Sequence, residues 1–398
     1  KFGAPMFAPI ANNIVAISTF LLFIYFAGTA AAAEGNLSSG QVWLLGLGTT
    51  LGVIAQALIL IPVLIRAGYM WRPRFDLRGH GLGKAGKLAV WTIGLVLVNQ
   101  LTYIVITRLA TQANVNAAAQ EVVAAGLTTY QKAHLVFMLP HSVITVSIIT
   151  ALLPALSRVA HAGKLSQVGR DISGALRLVS FFIIPVTAIL FVVGISVAVL
   201  LFGFGAATTQ QAELMGQVIS IFMLGMIPFT LFYVLLRGYY SLEDTKTPFF
   251  ITVIFSLVLL ALIVPFFDNF TGGGAQISFM AACYSGSYWV GLLIAWIVLA
   301  RKLGGLQSGT TIASIARMVV AGLFSVFAML LTQVQLNNLL FGSSDSVDLT
   351  DKMNVLVRLL VVVCVGVISY LLAAWIIRVP EITLAYRVIR EKLGSKVK

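Results

Sequence analysis

Ten long apolar segments follow one another along this chain, and they constrain its fold more than any other feature. Each has roughly the 20 residues needed to cross about 30 Å of hydrocarbon at a helical rise of about 1.5 Å per residue. The segments cover residues 8–27, 42–65, 88–107, 134–156, 178–202, 216–236, 249–267, 275–300, 312–334 and 355–377. The sequence therefore predicts an all-α polytopic membrane bundle of about ten transmembrane helices.

The positive charges alternate along the chain in step with these segments. Of the 26 Lys and Arg residues, 22 lie before the first segment, after the last one, or in or beside every second gap. The other four are Arg108, Lys132, Lys352 and Arg358. Cytoplasmic loops of membrane proteins keep Lys and Arg, whereas exported loops are depleted of them. The alternation therefore predicts that both ends of this sequence are cytoplasmic.

The composition argues against a water-soluble protein. The chain of 398 residues is 59% apolar and only 10% charged, whereas soluble domains carry about 25% charged residues. Its net charge of +13 is explained by the cytoplasmic bias of Lys and Arg, together with attraction to anionic membrane lipid. No basic cluster is interleaved with aromatic residues, so we expect no nucleic-acid partner.

Motifs of enzymes and of metal or cofactor sites are absent from the sequence. It has no phosphate-binding glycine loop, no HExxH, no GxSxG and no CxxC. Cys283 and Cys364 both lie in apolar segments without the spacing of metal ligands. The sequence therefore predicts a protein that is not an enzyme and that holds no metal or cofactor.

Polar residues within the apolar segments are candidates for a cavity lining, because a strong dipole at bilayer depth must face a cavity or another helix. Asn13 lies in the first segment, and Asn99 and Gln100 lie in the middle of the third. Hydrogen bonding between helices explains such residues equally well. His134 is at the outer entrance of the fourth segment, where an ordinary hydrogen bond is the alternative to a proton-sensitive role.

Two stretches have the periodicity of amphipathic helices. In 158–177, apolar residues recur at spacings of three and four, with basic residues on the other face, and 379–398 repeats the pattern. Helices of this kind lie in the membrane interface with their apolar face in the lipid. We therefore expect both stretches to lie in the cytoplasmic interface.

Four strings of the sequence resemble a known family. They are APMFAPIANNIV near the start, ALLPALSRVAHAGKL at 151–165, ALRLVSFFIIPVTA at 175–188 and RGYYSLEDTKTPFF at 237–250. Together they resemble the MurJ (MviN) lipid II flippase family of the MOP exporter superfamily, in the style of its actinobacterial members. The last string is the most specific, since the family carries a Tyr-rich stretch followed by Asp-x-Lys-Thr-Pro. Here the structural turn would be formed by Asp244, Lys246, Thr247 and Pro248.

The resemblance extends over the family's last ten helices, so we expect the sequence to lack the first four. It implies the MOP exporter fold, with helical lobes around a central cavity. Residues 1–160 would form the rest of the N-terminal lobe and the start of the C-terminal lobe, with 161–305 continuing that lobe. Two additional helices would follow in 306–378, and 379–398 would be a cytoplasmic amphipathic tail.

The resemblance implies a flippase that moves lipid II, the polyprenyl-pyrophosphate-linked precursor of peptidoglycan, across the bacterial cytoplasmic membrane by alternating access. Its substrate-cavity candidates are Asn13, Asn99, Gln100, His134, Arg177 and Arg237. The two arginines would attract the head group at the cytoplasmic side, and the lipid tail would follow the last two segments. Further expected partners are anionic membrane lipid and cell-wall synthesis or division proteins.

The sequence also departs from the family pattern. At the place of a family arginine in the fourth segment it has Leu135, and the seventh segment lacks the Asp and Asn with which some members hold sodium. An exporter of another lipid-linked oligosaccharide or of drugs, or a non-transporting scaffold for wall synthesis, therefore remains an alternative.

Overall fold

The apolar segments form helices in the computed structural model of the protein, which describes residues 3–34, 37–66, 68, 82–204, 208–341, 349 and 351–382. A helix satisfies the N–H and C=O groups of its backbone internally, so it is the form that an apolar segment takes where no water is available. The described residues contain twelve α-helices and no strand.

The helices have the following bounds. They are α1 (Gly3–Glu34), α2 (Ser39–Arg66), α3 (Leu82–Ala119), α4 (Leu127–Pro140), α5 (Val146–His161), α6 (Leu165–Phe202), α7 (Thr209–Met223), α8 (Met226–Ser241), α9 (Lys246–Phe266), α10 (Gly273–Leu303), α11 (Ser308–Phe341) and α12 (Lys352–Ile376). A π-helical turn, His141–Thr145, joins α4 to α5, and a 3-10 turn, Phe267–Asn269, follows α9.

Each of the ten predicted segments coincides, to within one residue at its end, with part of one of these helices or of a joined pair. In the described part of the chain, nine helical stretches are long and apolar enough to cross a membrane. The pair α7 and α8, bent by 49°, makes a tenth if it counts as one span. The all-α fold class is thus confirmed.

Two spans are interrupted, and each break has a chemical cause. Pro140, which supplies no N–H donor, directly precedes the π-helical turn between α4 and α5. Between α7 and α8 the backbone turns at Leu224 and Gly225. There the Ser285 hydroxyl of α10 donates to the carbonyl oxygen of Ile221 at 3.3 Å. A neighbouring helix thus satisfies a backbone group at the end of α7.

The chain divides into two compact units, Lys1–Leu82 and Gly83–Lys398. In the smaller unit, α1 and α2 pack closely because glycines of α2 face polar side chains of α1. A side chain at Gly48 would overlap Thr19, and one at Gly52 would overlap Asn12. Small residues at the crossing let the two backbones approach, as is common between membrane helices.

The core of the larger unit is built around α6, which packs against α5, α7, α8, α11 and α12. Its buried apolar side chains include Val168, Ile172 and Leu176 near the start of the helix. A close approach of two helices joins Gly194 of α6 to Gly216 of α7. A Cβ at Gly194 would lie 2.8 Å from the carbonyl oxygen of Gly216.

The predicted interfacial helix at 158–177 is wrong. This stretch contains the end of α5, a turn at 162–164 and the beginning of the long helix α6. The apolar face exists as predicted, but it packs on protein: Val168, Ile172 and Leu176 have no exposed surface. Ser173 of the same stretch donates to the Leu306 carbonyl oxygen between α10 and α11. Of the predicted tail at 379–398, residues 383–398 lie outside the described part.

We expect that Gly216→Ala destabilises the larger unit by about 1–3 kcal/mol, the range for overpacking a filled interior. The added methyl group would overlap the backbone of Ile195 in α6. Apparent melting temperature in detergent measures the effect. The matched control is Gly286→Ala in α10, where no atom lies within 4 Å of the added Cβ. Equal stability of the two variants would contradict close packing of α6 on α7.

Candidate functional site

A cavity of about 480 Å³ opens within the larger unit between α3, α4, α9 and α10. Its lining combines amide, hydroxyl and aromatic side chains with a few aliphatic ones. The residues are Asn99, Gln100, Thr102, Tyr103, Ile106, Tyr130, Gln131, His134, Leu135, Met138, Phe255, Ser256, Leu259, Tyr284 and Tyr288. Three of the residues predicted for a cavity, Asn99, Gln100 and His134, therefore lie together in its wall.

Amide groups of α3 and α4 provide the hydrogen-bonding part of this wall. Asn99 and Gln100 are exposed, and the Asn99 amide nitrogen donates to its own helix at the Leu95 carbonyl oxygen, 3.1 Å away. The Gln131 amide nitrogen donates to the Tyr103 hydroxyl at 2.8 Å, which links α4 to α3. The Asn99 side-chain oxygen and the Gln100 amide make no hydrogen bond to another described residue, so they are available to a ligand.

Aromatic rings form another part of the wall. The His134 ring nitrogen Nε2 lies 3.1 Å from the Tyr284 hydroxyl, and the two rings meet edge to face. Tyr288 lies one helical turn further along α10, with its ring 5.0 Å from that of Tyr284 and 5.0 Å from that of Phe255. His134 thus has the ordinary hydrogen bond considered as the alternative from the sequence, and it also lines the cavity.

No side chain in this lining carries a formal charge, provided that His134 is neutral. A surface of this kind can donate and accept hydrogen bonds and can stack on flat or apolar faces. In the described part of the chain, no group of three or more His, Cys, Asp or Glu residues is placed to hold a metal ion.

The remaining predicted cavity residues lie elsewhere. Asn13 belongs to α1 in the smaller unit and is exposed. Arg237, on α8, is absent from the cavity lining. Its guanidinium carbon lies 5.9 Å from the Tyr240 ring centroid, and its buried Nε atom has no partner among the described residues.

Arg177 is engaged by a carboxylate that was not singled out in the sequence. Its Nε lies 3.2 Å from an oxygen of Glu381, whose side chain is only 9% exposed. The Ser314 hydroxyl of α11 donates to the other carboxylate oxygen at 2.9 Å. The three residues therefore join α6, α11 and the segment after α12 by a mostly buried charged network.

The predicted structural turn lies between α8 and α9 and is cross-linked to α10. Asp244 accepts a hydrogen bond from the Thr247 backbone N–H at 3.0 Å and another from the Lys302 ammonium group. Lys302 also donates to the Thr247 hydroxyl at 2.8 Å. Burial alone would raise the pKa of Asp244, but the bonds from Lys302 and Thr247 outweigh it and hold that pKa below its usual value.

The rest of the turn contacts neighbouring helices. The Lys246 ammonium lies 5.7 Å from the ring centroid of Trp91 in α3, and Pro248 is buried at the start of α9. Beside the turn, the ring of His161 at the end of α5 lies 3.4 Å from the Glu243 carboxylate. The turn thus joins α8 to α9 and contacts three further helices, α3, α5 and α10.

Two adjoining apolar grooves flank α11, and they share Ile227, Trp289 and Val319. One, of about 670 Å³, lies between α8, α10 and α11. The other, of about 260 Å³, continues between α6, α7 and α11. Arg301 is at one end of the larger groove, where the Trp296 ring N–H donates to the Ser308 hydroxyl at 3.0 Å.

Several lining residues were missed from the sequence, notably Tyr130, Tyr284, Tyr288 and Gln131. Tyrosine usually sits at the ends of membrane helices, at the level of the lipid head groups. Tyr284 and Tyr288, four residues apart in the middle of an apolar segment, are therefore the signal that could have identified this wall. Gln131, three residues before His134 on one helix face, is a second signal.

Comparison with known proteins gives consistent matches. A sequence model of the family described as lipid II flippase MurJ matches residues 1–346. A probable lipid II flippase MurJ of Buchnera aphidicola subsp. Baizongia pistaciae is 28% identical over 303 residues, which are 76% of this chain and 53% of that relative. One of Vibrio cholerae is 27% identical over 338 residues, 83% of this chain and 58% of the relative. The chain thus spans somewhat more than half the length of these curated relatives.

A solved structure is also similar. It is a lipid II flippase MurJ in an inward closed conformation, with a TM-score of 0.63 at 20% sequence identity. The match covers 94% of this chain and 68% of that one. At this identity the likeness shows the fold alone, a bundle of long apolar helices.

We expect that Asp244→Asn lowers stability by about 1–2 kcal/mol at neutral pH, between the values for an exposed ion pair and for a charged hydrogen bond. Because the pKa of Asp244 is held below its usual value, its contribution is complete above about pH 4 and is lost as the pH falls through the folded-state pKa. Melting temperatures of wild type and variant should therefore converge in acid. The control, Asp268→Asn in an exposed turn, should change little. A constant difference down to the lowest pH measured would contradict this role.

We expect Arg177→Gln and Glu381→Gln each to cost about 2 kcal/mol, less than a fully buried pair because Arg177 is partly exposed. The double variant should cost less than the two single costs combined, since each single change strands the partner's charge. Melting temperatures of wild type, the two single variants and the double variant provide the four measurements of this double-mutant cycle. Additive costs would mean that the two side chains act independently, which leaves Arg177 free for a head group.

Proposed function

We propose a function for this chain from the premise that it belongs to the family of the lipid II flippase MurJ. The proposal is that the protein carries lipid II, the undecaprenyl-pyrophosphate-linked precursor of peptidoglycan, from the inner to the outer leaflet by alternating access. The match of the family's sequence model over residues 1–346 carries the proposal. The chain is an integral membrane protein, as its apolar helices and its family membership both require.

The cavity between α3, α4, α9 and α10 supports this proposal as part of a head-group site. It lies between membrane-spanning helices and presents amides and hydroxyls, the groups that a polar head group needs when it leaves water. Within the candidate set we retain Asn99, Gln100 and His134 for this site. Asn13, Arg177 and Arg237 remain candidates for head-group contact in another state of the transport cycle.

The apolar grooves beside α11 support a separate place for the lipid tail. Their lining consists almost entirely of aliphatic side chains and the rings of Trp289 and Trp296. A polyprenyl chain can stay there in an apolar environment while its head group crosses. We therefore propose that the tail follows α11, one of the two additional helices in 306–378.

The membrane and the orientation are also proposals. We propose the bacterial cytoplasmic membrane, with both ends of this chain on the cytoplasmic side, because 22 of the 26 Lys and Arg residues then face the cytoplasm. In that orientation the Asp244 turn is cytoplasmic. We also propose that residues 1–160 form the rest of the N-terminal lobe and the start of the C-terminal lobe, and that 161–305 continue the C-terminal lobe. Cell-wall synthesis or division proteins are proposed as further partners.

Depletion of the protein in its own cells tests the function. In a strain without a second flippase, a membrane-impermeant enzyme that cleaves lipid II should find several-fold less substrate outside, while total lipid II accumulates. Restoring the wild-type gene should reverse both changes. Undiminished exposure of lipid II after depletion would refute the proposal and favour a scaffold or an exporter of another compound.

A further inference from the structure

The neutral character of the cavity is its most specific property. Its lining contains no Lys, Arg, Asp or Glu side chain. Lys132, next to Gln131 on α4, places its ammonium 5.3 Å from the ring centroid of Phe202 in α6. Arg177 is paired with Glu381. An anion in this cavity would therefore lose its hydration without gaining a counter-charge, which is strongly unfavourable.

Two kinds of neutral side chain line the cavity. One kind is the amides of Asn99 and Gln100 on α3. Each amide can both donate and accept. The other kind is the tyrosines Tyr284 and Tyr288 of α10, which bring aromatic rings together with hydroxyl groups. The ligand that matches this arrangement has apolar C–H faces and a rim of neutral hydroxyl or amide groups.

We infer that this cavity is the subsite for the saccharide of the transported head group, whose pyrophosphate is held elsewhere. A pyranose ring has hydroxyl groups around its edge and C–H groups on its faces, so it can bond to amides while it stacks on tyrosines. The volume of about 480 Å³ lies within the roughly 300–1,000 Å³ of sites that enclose small ligands. The inference rests on the proposed function and assigns one part of its substrate to one wall of the site.

The Gln100 and Tyr103 side chains are the best targets for a test. Both are exposed on α3, and neither belongs to the packed core. We would replace them as Gln100→Leu and Tyr103→Leu, with Gln100→Asn as the conservative variant that keeps the amide. The matched controls are Gln112→Leu, on the same helix outside the cavity, and Tyr25→Leu, exposed on α1. Melting temperatures identify any variant that fails to fold.

Binding of three lipid probes by the full chain in detergent, measured by native mass spectrometry, separates the parts of the substrate. The probes are undecaprenyl pyrophosphate, the same lipid with a disaccharide, and the lipid with disaccharide and peptide. Gln100→Leu and Tyr103→Leu should weaken binding of both glycosylated probes about tenfold, the change in affinity expected when one neutral hydrogen bond is lost. Binding of bare undecaprenyl pyrophosphate should stay within about twofold. Gln100→Asn should recover part of the loss.

Three results would overturn the inference. The disaccharide probe could bind wild type no more tightly than bare undecaprenyl pyrophosphate. The variants could weaken all three probes equally. They could also weaken only the peptide-bearing probe, which would make this wall a peptide subsite. If lipid II exposure nevertheless falls in depleted cells, the proposed flippase function stands and only the saccharide subsite is refuted. If wild type bound none of the probes and depletion left exposure unchanged, the proposed function itself would fail.

Discussion

Backbone hydrogen bonding in a medium without water is the constraint on which the rest of this structure depends. It makes every long apolar segment a helix, and it decides where a helix can break. The two interruptions, after Pro140 and at Gly225, lie where other helices surround the backbone, and Ser285 supplies a hydroxyl at the second one. Both broken spans, α4–α5 and α7–α8, also carry residues packed beside the cavity. The irregular backbone is therefore found next to the candidate site.

The same constraint governs charge. Two contacts in the described part of the larger unit pair opposite charges, Arg177 with Glu381 and Asp244 with Lys302. Each contact joins elements distant in sequence, while the cavity wall has no Lys, Arg, Asp or Glu side chain. This separation explains why basic residues near a cavity need not be ligands for an anionic substrate. The sequence indicates how deep in the membrane a basic residue lies, but only the fold shows which side chain it pairs with.

The sequence predicted the ten spans because a run of about 20 apolar residues leaves the backbone few alternatives. It predicted Asn99 and Gln100 for the cavity because a polar side chain within such a run must face a cavity or another helix. It could not predict that Arg177 would meet Glu381, which is about 200 residues further along the chain.

The prediction of an interfacial helix at 158–177 was wrong for a related reason. Periodicity identifies the buried face of a helix but not what covers that face. Tyr284 and Tyr288 were missed because tyrosine counts as apolar in a hydropathy pattern, although its hydroxyl and ring are the chemistry of the cavity wall.

A protein with the proposed function must release what it binds, and this requirement favours a neutral cavity wall. A buried ion pair that loses one partner costs several kcal/mol, so a charged cargo held by desolvated charges would leave slowly. Neutral hydrogen bonds contribute about 1 kcal/mol each and can be exchanged for bonds to water one at a time. A wall of amides and tyrosines can therefore distinguish a cargo by the number of groups that it matches without trapping it. The charged contacts of this unit, Arg177–Glu381 and Asp244–Lys302, instead join helices outside the cavity lining.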